Sequence, residues 1–241
     1  KAAVALVTET PFDVRTYSYT SGSYTFNNVR RIGAVIQPEV DNAQSGDTVL
    51  VKAGTYVEQV VVTKTLTLKS ESGAVNTFIK APATIPVAAN PDSTIVKIGG
   101  AGVNVELTGF TVAGPGPGSC GTIFAGIFVR DGATANIHDN RVLDIRDDDP
   151  SGDAPFSGCQ NGIGIVVGRQ QNGTSGSATI KNNEIAGYQK NGIVVSNVGS
   201  SALIEGNTVA GFGPQTTIAQ NGVQVSAVAI ATVQNNTIKD H

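Results

Sequence analysis

The densest grouping of reactive side chains is Asp144-Ile145-Arg146-Asp147-Asp148-Asp149-Pro150-Ser151-Gly152-Asp153, with five carboxylates in ten residues. Clustered carboxylates can ligate a hard cation, accept hydrogen bonds from sugar hydroxyls, or divide into an acid–base pair at a glycosidic bond. Asp147, Asp148, Asp149 and Asp153 are the candidate ligands for such a cation, which would be Ca²⁺. Their spacing is not that of an EF-hand loop, so the spacing itself does not select a metal, and no other cofactor is implied. His138, Arg141, Asp144 and Arg146 add an imidazole, two cations and a carboxylate beside them, a set suited to ligand contact. The competing reading is a solvated acidic loop that keeps the flank of the fold soluble, with His138 a surface residue.

These residues need a scaffold, and composition narrows the choice. The chain has 241 residues, 15% of them charged, where about 25% is usual. Glycine accounts for 29 residues, and Trp and Met are missing. That is no helical bundle, which would draw on Leu, Ala, Glu, Lys and Arg. A net charge of −3 gives no electrostatic footprint for nucleic acid. No apolar run is long enough for a membrane span. Many short strands joined by Gly-rich turns are expected instead.

Repetition organises those strands. Asn161-Gly162-Ile163, Asn191-Gly192-Ile193 and Asn221-Gly222-Val223 recur every 30 residues, with Ala125-Gly126-Ile127 as an earlier copy. A second unit has the frame apolar–x–x–Asn–x–apolar around Asn140, Asn183, Asn207 and Asn236. In each strand alternate side chains go in and out, as with Ile193 and Val195 around Val194. The Asn three residues past the inward Ile or Val is read as a sharp bend in the left-handed region. Its amide is expected to bond the same amide one coil away. The Gly before the inward Ile is read as a second bend. Strands this short bury a core only when wound as stacked coils. Residues 32–241 are therefore one solenoid, with 1–31 an N-terminal arm that packs on its flank or pairs with another chain.

Upstream, Ile32–Ala43 is expected to form a short helix over the open end of the first coil. Asp47–Tyr56, Val60–Val62, Leu66–Leu68, Thr77–Ile79 and Val105–Val112 continue the strand habit, with Phe110 in the ladder-Asn position. Stacking by register gives an outward column of His138, Lys181, Glu205 and Gln234, and a second of Arg141, Glu184, Thr208 and Thr237. Lys181–Glu205 and Arg141–Glu184 should pair as ions. Tyr188 and Phe212 share one position and should pack under a loop. Cys120 and Cys159 lie in Gly/Ser-rich loops that lead into similar strands, so a disulfide between neighbouring coils is expected. A disulfide with low charge favours an extracellular or cell-surface protein.

The stretch Ala43–Tyr56, followed by the Asn-Gly-Ile and Ile-x-x-Asn repeats, resembles the right-handed, single-stranded parallel β-helix proteins of the pectin-lyase-like fold superfamily. The resemblance implies an all-β fold capped by the N-terminal helix. It does not select an activity, because the fold hosts lyases, hydrolases, epimerases and non-catalytic repeats. The catalytic motifs of the polygalacturonases, alginate epimerases and pectate lyases are absent: the only histidines are His138 and His241, neither of them between glycines, and there is no Arg-Ile-Lys. The expectation is a non-catalytic scaffold for glycan contact, surface attachment or self-assembly. Its partners would be a polysaccharide or cell surface; the sequence stops midway through a coil, an end that either continues in a longer protein or stacks head to tail on another copy. The alternative is a polysaccharide-active enzyme working near residues 144–153.

Overall fold

A computed structural model describes residues 35–85, 93–116, 120–147, 158–214 and 216–241, together with the backbone of three strands before residue 33. The coils begin with β4 (Asp47–Val51), β5 (Gly54–Val57) and β6 (Val60–Val62). The next is β7 (Leu66–Ser70), β8 (Thr77–Lys80) and β9 (Thr94–Gly99). Then come β10 (Asn104–Thr108), β11 (Thr111–Ala113) and β12 (Ala125–Arg130). The fourth coil is β13 (Thr134–His138), β14 (Arg141–Leu143) and β15 (Ile163–Val167). The fifth is β16 (Ser177–Lys181), β17 (Glu184–Ala186) and β18 (Asn191–Ser196). The sixth is β19 (Ser201–Glu205), β20 (Thr208–Ala210) and β21 (Asn221–Ser226). The strands β22 (Ile230–Gln234) and β23 (Thr237–Lys239) complete the described residues.

Every third strand pairs in parallel with its successor, giving sheets of ten, seven and six strands. The fold is an all-β, single-stranded parallel β-helix, wound in the right-handed sense that parallel crossovers adopt. Strands β1 (Val4–Val7), β2 (Thr16–Ser21) and β3 (Tyr24–Ile32) belong to the N-terminal segment. They extend the ten-stranded sheet: β1 lies parallel between β4 and β3, and β2 pairs antiparallel with β3. Tyr17 and Tyr19 lie on β2 and Tyr24 on β3, the two strands of that hairpin.

The core is a stack of aliphatic side chains inside the coils, for example Leu68, Leu107, Ile137, Ile180 and Ile204 in successive rungs. The interior is narrow, and the glycine of each Asn-Gly-Ile unit follows from that. Gly126, Gly164, Gly192 and Gly222 share one inward position, and none lies in the left-handed region. A Cβ on Gly164 would sit 2.5 Å from the Gly192 carbonyl oxygen and 2.7 Å from Ile185 Cγ2. At these four positions the glycine is there for close approach; the left-handed bend occurs at Gly162, in Asn161-Gly162-Ile163. The structural counterpart of Asn191-Gly192-Ile193 is Ile163-Gly164-Ile165, two residues on from the repeat expected at Asn161.

The Asn ladder forms as expected, with one correction. Asn140, Asn183 and Asn207 are buried, and each accepts a hydrogen bond on its side-chain oxygen from the backbone N–H one coil earlier: Phe110, Asn140 and Asn183. Asn236 does the same for Asn207. The left-handed residue is the one before: Gly109, Asp139, Asn182, Gly206 and Asn235 all have positive φ. That residue turns the chain, and the turn aims the next side chain inward.

The helix α1 is shorter than expected, Gln37–Asn42, because Pro38 lies in its first turn and marks its start. Ile36 and Val40 plug the end of the core. Side chains around β6 hold it in place. The Glu58 carboxylate accepts the N–H groups of Ile36 and Gln37 at 2.7 and 2.8 Å. The Gln37 amide bonds both the N–H and the C=O of Val61, standing in for the missing next rung of that edge strand. Lys64 donates to the Val40, Asp41 and Ala43 carbonyls at the helix C-terminus. No helix among the described residues is long and apolar enough to cross a membrane. At the other end the last coil exposes Val228, Ile230, Val233 and Ile238.

Candidate functional site

The disulfide forms between Cys120 and Cys159, with Cα atoms 5.4 Å apart. It ties the β11–β12 connection to the β14–β15 connection. Asp147 lies beneath it and is buried, its side-chain oxygen accepting from Thr122 Oγ1 at 3.3 Å. Gln189, fully buried, accepts the Asp147 N–H and donates to the Cys159 carbonyl, each at 3.0 Å. The first of the four candidate cation ligands is therefore packed inside. Asp148, Asp149 and Asp153 lie outside the described residues.

The four candidate ligand residues are spread over the surface. His138 faces outward from the ten-stranded sheet and Arg141 from the seven-stranded one. Asp144 occupies the corner after β14, exposed and at φ 55°, in the position that Gly187 fills one coil later. Arg146 donates to the Asp147 carbonyl at 3.3 Å. Arg141 pairs with Glu184 at 2.7 Å and Lys181 with Glu205 at 3.0 Å, as the columns predict.

His138 has more structure around it than a bare surface position would. Its Nε2 lies 3.0 Å from Glu106 Oε1 and its Nδ1 2.7 Å from Asp139 Oδ2. Thr67 Oγ1 donates to the other Glu106 oxygen at 3.1 Å. Burial pulls the imidazole pKa down, but the hydrogen bonds and charges of Asp139 and Glu106 outweigh it and raise the value above normal. The arrangement favours the protonated imidazole, with a carboxylate facing each ring nitrogen. Beside it a shallow groove of about 350 Å³ is lined by Thr65, Thr67, Asn104, Glu106 and Asn136.

A second groove of about 350 Å³ crosses the outer face of the six-stranded sheet, and residue patterns gave no hint of it. Its floor is apolar. Phe128, Val166 and Val194 stack in one outward column that Gln224 continues, and all three are buried together with Phe124 and Ile163. The walls are polar: Gln160, Gln170, Gln171, Asn191, Ser196, Gln224 and Ser226. Two cations complete the lining, Arg169 and Lys190. The rim at Arg169 comes from an insertion after β15. Arg169 and Thr174 exchange backbone hydrogen bonds around a single 3-10 turn, Gln170–Asn172. The Arg169 guanidinium lies 4.4 Å from the Phe124 ring centroid, and burial lowers its pKa from the usual value. Lys190 is positioned by donating to the Ala219 carbonyl at 2.8 Å. None of the described residues lining this groove is Asp or Glu. Amides, hydroxyls and cations over an apolar floor can bind a polar, anionic ligand.

No family model matches the chain, and no curated protein does. Among solved structures the chain is similar to the pectin methylesterase from Aspergillus niger. The identity is 14%, the TM-score 0.48, and the match covers 86% of this chain and 74% of that one. A likeness of that degree says nothing about activity.

Proposed function

We propose that this β-helix is an extracellular or cell-surface scaffold that binds an acidic glycan in the groove of the six-stranded sheet, without turning it over. The observation that carries the reading is the lining itself. Arg169, stacked on Phe124, and Lys190 set two cations among the amides and hydroxyls of the groove wall. A guanidinium stays charged at neutral pH and matches a carboxylate with two parallel hydrogen bonds. The amides and hydroxyls suit sugar hydroxyls, and the apolar floor suits the C–H face of a ring. The disulfide fits an oxidising compartment. Calorimetric titration with polygalacturonate and alginate oligosaccharides, against neutral oligosaccharides of equal length, tests the reading. Binding of neutral and acidic chains with equal affinity, or of neither, would refute it.

A second reading, a polysaccharide-active enzyme, rests on the Glu106–His138–Asp139 cluster beside the shallow groove of the ten-stranded sheet. Depolymerisation or deesterification of the same polymers, abolished by His138→Gln, would establish it in place of the first.

A further inference from the structure

Cys120 Sγ, Cys159 Sγ and a carboxylate oxygen of Asp147 all lie within 4.8 Å of one another. In the oxidised protein the two sulfurs are bonded and the cluster is a covalent staple. We propose that, once reduced, this same cluster is a zinc site, with Cys120, Cys159 and Asp147 as its three protein ligands. Its three ligands are not among the residues lining the groove, and it does not depend on any glycan reading.

A dithiol reductant supplies two electrons and two protons to the disulfide, which opens to two thiols while the reductant closes to its own disulfide. Zinc then takes both sulfurs as thiolates, together with the Asp147 carboxylate, and the two thiol protons leave to solvent. Water fills the fourth position of the tetrahedron. Thiolate ligands favour zinc over the calcium that the acidic run alone suggests. Two zinc–sulfur bonds of about 2.3 Å at a tetrahedral angle place the sulfurs about 3.8 Å apart. With Cα atoms at 5.4 Å, side-chain rotation supplies that separation.

What makes this more than three neighbouring residues is how they are held without the disulfide. Asp147 is buried, its carboxylate anchored by Thr122. Its backbone bridges to Gly116, four residues before Cys120. Gln189 binds Asp147 and Cys159 with one side chain, and its own backbone is pinned by the Ile145 and Gly162 carbonyls. Two ligands thus stay registered by a shared buried amide, the outer-shell arrangement that tunes metal sites. Cys120, the third, is exposed, which admits both reductant and metal.

The test uses the full chain, reduced under argon with a dithiol that is then removed, and titrated with Zn²⁺ or with Co²⁺ as a spectroscopic substitute. Expected results are a single bound ion, a near-ultraviolet thiolate-to-cobalt band, and a zinc-induced rise in the melting temperature of the reduced protein. At a free zinc concentration 100 times Kd that rise is about 5–10 °C. The oxidised protein and Cys120→Ser/Cys159→Ser show none of these. Asp147→Asn weakens zinc about tenfold or more, the scale set by removing even an outer partner of a metal ligand. Thr122→Val, which leaves all three ligands in place, weakens it also and serves if the Asp147 variant does not fold. Zinc uptake no tighter than in the double serine variant overturns the proposal. So does an Asp147→Asn or Thr122→Val protein with unchanged affinity, or a reduced chain that unfolds and is not restored by zinc.

Discussion

Substituting Asn183 by alanine breaks the ladder in its middle, and the cost can be worked bond by bond. The Asn183 side-chain oxygen accepts the Asn140 N–H at 3.0 Å, and its amide nitrogen donates to the Ile137 carbonyl at 2.9 Å. It also bonds the Asn207 side chain at 3.0 Å, but Asn207 keeps the Asn183 backbone N–H and its other partners. Asn140 Nδ2 loses a 3.3 Å contact and retains the Leu107 carbonyl. The Asn140 N–H is therefore orphaned, at about 1–3 kcal/mol, while the Ile137 carbonyl keeps its place in the β13–β16 ladder and loses only its second bond, at about 1 kcal/mol. The expected loss is about 2–4 kcal/mol of unfolding free energy, measured by urea denaturation with an unchanged slope. Asn236 makes the same kinds of bond in the last described coil, where water reaches it, so Asn236→Ala should cost about 1 kcal/mol. Equal costs at the two positions, or a loss below about 0.5 kcal/mol at Asn183, would refute the ladder as a source of stability.

Gly164→Ala places a methyl against the Gly192 carbonyl and Ile185, so it should destabilise by about 3 kcal/mol. The solvent-facing control Gly73→Ala meets nothing and should cost only the left-handed penalty of about 1–2 kcal/mol. The two histidines should titrate on opposite sides of the ordinary value of about 6.5 in an NMR pH series. His138 is raised by Asp139 and Glu106, so its stabilisation is complete below that value and fades as pH rises through the folded pKa. The deficit of His138→Gln relative to wild type should accordingly be larger at pH 5.5 than at pH 8.5. Burial lowers His241, which stacks on Tyr188 and bonds its hydroxyl, so this contact is complete at neutral pH and lost as pH falls. Glu58→Ala removes the acceptor for two N–H groups at the start of α1 and should cost about 1–3 kcal/mol, with faster hydrogen exchange confined to residues 36–43.

Much of the architecture was readable because a solenoid writes its geometry into local spacing. The ladder Asn, the ion-pair columns and the disulfide each follow from stacking copies of a short frame. The misreadings have physical causes. An Asn-Gly-Ile triplet at 161 mimicked the repeat, but the inward position is fixed by where a Cβ cannot fit, and that falls at Gly164. Asn tolerates the left-handed region, so the bend was assigned to it, although the preceding residue makes the turn. Tyr188 is fully buried and stacked with His241, while its counterpart Phe212 is exposed. The six-stranded-sheet groove was invisible because its lining comes from four coils and from an insertion at Arg169–Thr174, with no common motif. Asp147 looked like part of an exposed acidic run. Only the packing of Gln189 and the cysteines shows that it faces inward.

The central claim is that the groove holds an acidic glycan through Arg169 and Lys190. Calorimetry of wild type, Arg169→Gln and Lys190→Gln against a carboxylate-bearing oligosaccharide, at low and high salt, tests it most directly. The account predicts wild-type binding that weakens with salt and falls about tenfold or more in each variant, with melting temperatures unchanged and the oligosaccharide recovered intact. Affinity that is indifferent to both substitutions, or recovery of a cleaved or chemically altered oligosaccharide, would contradict it.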